Sequence, residues 1–125
     1  MSAPPPPKKH RLPPERPGIT HRVEIDGTKI YITTGEYEDG TLGEFFLTLD
    51  KEGGRLRVYD AFAIAISIGL QHGVPLREYV NKLRNLQMEP RGWTRNPAIP
   101  SAKSICDYLA RFLEARYLTA DAGDA

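Results

Sequence analysis

Apolar residues recur at every second position in the first half of the chain and at every third or fourth position in the second half. Alternation is the mark of a strand with one covered face, and a spacing near 3.6 marks a helix. Val23–Ile25 reads as a short strand, closed by Asp26-Gly27, a strong tight-turn pair. Lys29–Tyr37 follows with the β-branched and aromatic run Ile30, Tyr31, Ile32, Thr33, Thr34. Glu38-Asp39-Gly40 marks a second turn. Leu42–Asp50 then sends Phe45, Leu47 and Leu49 to one side and Glu44, Thr48 and Asp50 to the other, with Phe46 breaking the alternation. The three strands predict an antiparallel meander with one apolar face in need of a cover.

The cover comes from the second half. Gly53-Gly54 ends the sheet region, and a helix is predicted from about Leu56 to His72. Val58, Ala61, Phe62, Ala65, Ile68 and Gly69 form one stripe of it, and Ile64 and Ile66 widen the stripe most of the way round. That breadth predicts a buried helix, with Gly69 and the alanines admitting another backbone. Gly73 suits a left-handed cap, and Pro75 suits the first turn of a second helix running to about Leu86 on Leu76, Val80 and Leu83. Residues 87–100 read as a loop. Ser101 is the expected N-cap of a third helix reaching about Leu118, with Ile105, Leu109, Phe112 and Leu113 inward and Lys103, Asp107 and Arg111 outward. The expected fold class is α+β, a small antiparallel β-meander of about three strands followed by three helices packed on it. Strands before helices argue against a Rossmann arrangement.

Residues 1–19 differ in kind. Pro4–Pro7, Pro13, Pro14 and Pro17 favour extended chain, and Lys8, Lys9, Arg11 and Arg16 make the segment basic. It is expected to be a disordered Pro-rich tail: either a solvated linker remnant or a docking arm for an acidic or nucleic acid surface. Residues 20–118 form the domain, and residues 119–125 a frayed tail. The 125 residues suffice for one domain. A net charge of +1 gives no global attraction to nucleic acid or membrane. No apolar run approaches the roughly 20 residues of a membrane helix, and the one cysteine, Cys106, rules out an internal disulfide. A cytoplasmic location is expected.

Catalytic and metal-binding patterns are sparse. His10, His21 and His72 are widely separated, and none stands at a ligand spacing from Cys106, so no metal site is expected. Cys106 sits beside an apolar stripe, where a lone cysteine reads as a small buried hydrophobe, the alternative being a functional thiol. Ser67 lies in the most apolar helix without a His-Asp pair, its hydroxyl free to bond a preceding carbonyl. Gly35, Gly40 and Gly43 fit neither a dinucleotide fingerprint nor a P-loop. No catalytic residue is assigned.

Two clusters remain as candidate partner surface. Glu36, Tyr37, Asp39 and Glu44 surround one hairpin turn, either as a solvated turn or as a contact surface for a larger protein. Glu89, Arg91 and Trp93 lie in the loop before the third helix. Tryptophan beside arginine is the composition of an interface anchor, and the alternative is that Trp93 folds back on the core.

The stretch Gly35-Glu36-Tyr37-Glu38-Asp39-Gly40-Thr41-Leu42-Gly43-Glu44-Phe45-Phe46 resembles the acidic hairpin near the C-terminus of class II, adenosylcobalamin-dependent ribonucleotide reductases. Residues 60–76, from Asp60-Ala61-Phe62 to Gly73-Val74-Pro75-Leu76, are similar to the helix-Gly-helix that follows it there. Met88-Glu89-Pro90, Ser104-Ile105-Cys106-Asp107-Tyr108-Leu109 and the lead-in Arg11-Leu12-Pro13 and Arg16-Pro17-Gly18-Ile19-Thr20 match the same region. The likeness runs in order over about residues 11–118 and is to the TSCPD domain, although the Thr-Ser-Cys-Pro-Asp string itself is absent.

The resemblance implies a link to deoxyribonucleotide supply for DNA synthesis. It carries no catalysis over, because in those reductases the radical cysteine, the redox cysteine pair and the cobalamin and nucleotide sites lie on a catalytic barrel that this chain lacks. The implied role is an accessory or regulatory domain docking on a class II reductase catalytic chain. Adenosylcobalamin is expected in that reductase and no cofactor on this chain alone. The alternative is a free-standing nucleotide- or nucleic-acid-binding module using the basic tail, Arg91, Arg95 and Trp93.

Overall fold

The structure is a computed structural model and describes residues 9–49 and 57–118. Three strands, β1 (Thr20–Ile25), β2 (Thr28–Glu36) and β3 (Leu42–Leu49), form an antiparallel sheet in the order β1-β2-β3. Ile25 pairs with Thr28 across a two-residue turn in which Asp26 and Gly27 take φ of 47° and 80°. Both positions thus have the positive φ of a type I′ turn, which matches the strand twist. At the other hairpin, the register shifts between Gly35 and Glu36, so that Gly43 is the extra residue opposite them. The anticipated third strand reached Asp50, which lies outside the described residues, as do Gly53-Gly54 and Leu56.

Helix α1 (Arg57–Gln71) lies along β3, and α2 (Leu76–Leu83) packs on α3 (Ile105–Tyr117). Between them a short antiparallel ladder pairs β4 (Gly92–Trp93) with β5 (Ser101–Ala102). The strands and helices make the expected α+β arrangement. Val23, Ile25, Ile30, Ile32, Phe45, Leu47 and Leu49 meet Ile105, Tyr108, Leu109, Phe112 and Leu113 of α3 in one buried cluster, joined by Ala63 and Ile66 of α1. The chain leaves α1 through Gly73, at φ 96°, and the Val74 N–H donates to the Gly69 carbonyl at 3.0 Å. Those are the marks of a Schellman cap.

Four expectations are corrected. Residues 87–100 are not all loop, since Gly92–Trp93 belongs to the small ladder, and Ser101 is its partner strand rather than a helix cap. The cap is Ser104, whose hydroxyl accepts from the Asp107 N–H at 2.9 Å, so α3 starts at Ile105. Asp107 then falls in the first turn of α3 and is fully buried, not on an outer face with Lys103 and Arg111. Helix α1 is not buried on most sides: only Ala63, Ile66 and Ser67 are fully buried, Tyr59, Phe62 and Leu70 are partly so, and Val58, Ile64 and Ile68 are 63%, 45% and 49% exposed.

The fourth concerns residues 9–19, which are laid on the domain as a strap. The His10 N–H donates to the Gln71 carbonyl at 2.8 Å, Glu36 N–H to Pro17 at 2.9 Å, and Thr34 N–H to Ile19 at 2.9 Å. The Tyr37 hydroxyl donates to the His10 carbonyl at 2.5 Å, and the two rings stack 4.2 Å apart. Backbone donors of β2 and an aromatic face thus replace the missing apolar side chains as the ordering force. Residues 1–8 and 119–125, read as tails, lie outside the described residues.

Candidate functional site

The two candidate clusters stand at opposite ends of the sheet. Gly92 comes close to Asp26 of the β1–β2 turn, with the Asp26 Cβ 3.9 Å from where a Gly92 Cβ would be. The acidic hairpin follows the far end of β2. Eight steps of strand, at about 3.3 Å each, separate the ends by about 26 Å. Glu89, Arg91 and Trp93 therefore share no patch with Glu36, Tyr37, Asp39 and Glu44.

At the hairpin end the acids are mostly engaged within the chain. Glu36 accepts from the Tyr117 hydroxyl at 2.6 Å and from Arg116 at 3.4 Å, tying β2 to the last turn of α3. Burial, and then the Glu36 carboxylate, push the Tyr117 hydroxyl pKa up. Glu44 meets Arg16 of the strap at 3.3 Å. Tyr37 is buried, and that burial, with the charges of Glu44 and Asp39, raises its pKa. Asp39 is exposed and accepts from the Thr41 hydroxyl at 2.7 Å and the Thr41 N–H at 3.0 Å. Those bonds hold its carboxyl below the usual range. The hairpin is thereby shaped as a clamp on the strap and on α3.

At the other end, Trp93 does not fold back on the core and is 80% exposed. Arg91 and Arg95 beside it are exposed too, with Arg91 3.6 Å from Glu89 in an open ion pair. Such a pair contributes little on a surface. Leu86 and Met88 add further exposed apolar area.

The chemistry-bearing groups are structural. Cys106 is buried, and burial pushes its thiol pKa up, away from a reactive thiolate. Ser67 accepts from the Phe45 N–H and lies 2.8 Å from the Ala63 carbonyl. His21 Nε2 lies 2.6 Å from the Tyr108 hydroxyl, which also accepts from Asn96 Nδ2 at 2.9 Å. The open clefts hold about 340–420 Å3 each. Among the described residues no three of His, Cys, Asp and Glu converge. No helix among them is long and apolar enough to cross a membrane.

A feature that sequence reasoning missed lies between the strap and α1. Leu12, Phe46, Ile64 and Ile68 line a cleft of about 340 Å3 with Lys9, Arg11 and Arg16 at its rim. Phe46, out of step with the alternation, was its one legible signal.

The sequence matches the TSCPD domain family over residues 5–117. The chain belongs to this family. Among curated proteins, the vitamin B12-dependent ribonucleotide reductase of Streptomyces avermitilis is 46% identical over 113 residues, covering 90% of this chain and 12% of that protein. That of Bradyrhizobium diazoefficiens is 44% identical over 114 residues, covering 90% and 9%. That of Rhodopirellula baltica is 42% identical over 114 residues, covering 90% and 11%. The chain thus spans about a tenth of the length of these relatives. No solved structure gives a significant match.

Proposed function

We propose that this TSCPD domain is an accessory domain of adenosylcobalamin-dependent ribonucleotide reduction. It docks on a reductase catalytic chain and does not catalyse alone. The observation that carries the reading is coverage: nine-tenths of the chain aligns with a small part of reductases named for vitamin B12. In those proteins the domain is tethered to the rest of the enzyme. Cobalamin and the reacting cysteines belong to the partner in this reading, since Cys106 is buried and unactivated. The role is regulatory and serves deoxyribonucleotide supply for DNA synthesis in the cytoplasm.

Trp93 supports docking, because a tryptophan left 80% exposed beside two arginines is a ready anchor. The test is a titration of the purified chain against the class II catalytic chain of the same source at two salt concentrations. Saturable binding, weakened at least about tenfold by Trp93→Ala, is expected. The same exposed trio also suits base stacking on single-stranded nucleic acid. Binding to an oligonucleotide that falls steeply with salt, with none to the reductase, would move the assignment to a nucleic-acid module.

A further inference from the structure

Helix α1 turns an apolar ridge outward. Val58, Ala61, Ala65 and Ile68 follow one another at helical spacing, and Ile64 stands beside them. Of these, Val58, Ile64 and Ile68 are each exposed by 45% or more, and Phe46 on the outer face of β3 adds another 41% exposed. Large apolar side chains scattered singly are ordinary on a surface. A ridge of them along one helix, continuous with a cleft, is the mark of a contact face. Within that face the small Ala61 and Ala65 lower the ridge, leaving grooves for large side chains of an opposing helix.

The charge beside this face is mainly positive, with Lys9, Arg11 and Arg16 against the single acid Glu44. The strap runs along the C-terminal end of α1, where the His10 N–H meets the Gln71 carbonyl. It places Lys9, Arg11 and Arg16 on the rim of the cleft floored by Phe46, Ile64 and Ile68. Arg16 is matched by Glu44. Lys9 and Arg11 form no ion pair among the described residues, with Glu38 and Asp39 on the neighbouring cleft that Arg11 also lines. We infer that this face receives an acidic, amphipathic helix of the reductase catalytic chain, its apolar side on the α1 ridge and its carboxylates on Lys9 and Arg11. This rests on the docking reading above and adds where and by what chemistry the partner is held.

A second copy of the chain is a poorer occupant. A two-fold contact sets the same patch against itself. Antiparallel α1 helices would then bring the strap cations of one copy toward both Arg57 and Asp60 of the other, at the start of its helix, so the two charges there offset each other. An acidic partner instead meets Lys9 and Arg11 with opposite charge alone.

The experiment measures binding of the full chain to the catalytic chain of the same source, with three variants compared. Ile64→Glu/Ile68→Glu places carboxylates on the ridge, at positions exposed enough for the fold to persist, which circular dichroism checks. Lys9→Glu/Arg11→Glu reverses the rim, and Trp93→Ala reports the other end of the sheet. The inference expects the ridge variant to bind at least about tenfold more weakly. It expects the rim variant to associate more slowly, with a flatter salt dependence. Unchanged binding by both, with loss in Trp93→Ala, would overturn the inference and leave the docking reading standing. Absence of wild-type binding would overturn the reading and the named partner together. Sedimentation showing a dimer that the ridge variant splits would hand the face to a second copy and overturn the inference.

Discussion

Ser67 of α1 closes the free edge of β3 at Phe45. The Phe45 N–H donates to the Ser67 hydroxyl at 3.0 Å, and that hydroxyl lies 3.1 Å from the Phe45 carbonyl and 2.8 Å from Ala63. β3 ends the sheet, so among the described residues these groups have no strand beside them. Gln71 adds a bond from its Nε2 to the Gly43 carbonyl at 3.1 Å. A polar pair inside an apolar helix thereby protects the edge from pairing with another chain. Ser67→Ala strands a buried N–H and is expected to lose about 1–3 kcal/mol of stability in urea denaturation. A loss under about 0.5 kcal/mol would show that the edge needs no such closure.

Asp107 is the hub of the second half. Its carboxylate accepts from the N–H groups of Lys103 at 2.9 Å and Asn85 at 2.8 Å and from Arg111 Nε at 3.0 Å. Burial alone would raise its pKa, but these donors outweigh it and the pKa is lowered. Replacing it with alanine leaves three donors unmatched and is expected to cost about 3 kcal/mol at pH 7. The sign with pH follows from the lowered value. The stabilisation is complete above the unfolded pKa of about 3.9 and is lost as pH falls from there through the folded value. Denaturation midpoints of wild type and Asp107→Asn should therefore converge as pH drops below about 4.

Much of this fold was legible because pattern and turn chemistry agreed. Asp26-Gly27 named its own turn type, and the alternation of Phe45, Leu47 and Leu49 named the inner face. The stripe Ile105, Leu109, Phe112 and Leu113 likewise gave the buried side of α3. What escaped was set by contacts distant in sequence. Two-residue strands such as Gly92–Trp93 have no period to detect. Asp107 looks like a surface charge until Asn85 and Lys103 are brought to it. The strap is ordered by β2 backbone and by Tyr37, which no local composition reveals. Helix α1 is apolar nearly all round, and that pattern cannot say which side the domain itself covers. Of the candidate surface residues, only the exposure of Trp93 left an anchor free of internal partners.

His21 should titrate below the histidine norm. Asn96 Oδ1 accepts from the Ala98 N–H at 3.0 Å, which orients Nδ2 to donate to Tyr108. The Tyr108 hydroxyl keeps its own proton, and His21 Nε2 at 2.6 Å can accept it in a hydrogen bond when the ring is neutral and Nε2 is unprotonated. Burial lowers the His21 pKa, and Arg22, Glu24 and Arg95 are the charged groups lining the same cleft. The stabilisation from the neutral ring is complete above the unfolded pKa of about 6.5 and declines as pH falls through the folded value. Proton NMR of the His21 ring should give a midpoint below 6.5, and Tyr108→Phe should move it. A midpoint at or above 6.5 would show that burial does not govern the titration of His21.

Gly18 tests whether the strap is integral to the domain. A Cβ at this position would come within 1.9 Å of the Thr34 carbonyl oxygen, a backbone atom that cannot swing aside. The next residue, Ile19, both donates to the Thr34 hydroxyl at 3.1 Å and accepts from the Thr34 N–H at 2.9 Å. Gly18→Ala therefore has to lift the strap or bend β2. Overpacking of this kind typically costs about 1–3 kcal/mol. Two measurements separate the routes. If the strap lifts, limited proteolysis should cut within residues 9–18 while the melting temperature falls modestly. If β2 bends, amide exchange should rise at Ile32 and Thr33, in the strand shared by both hairpins. A variant as stable and as protected as wild type would mean that residues 9–18 do not press on β2.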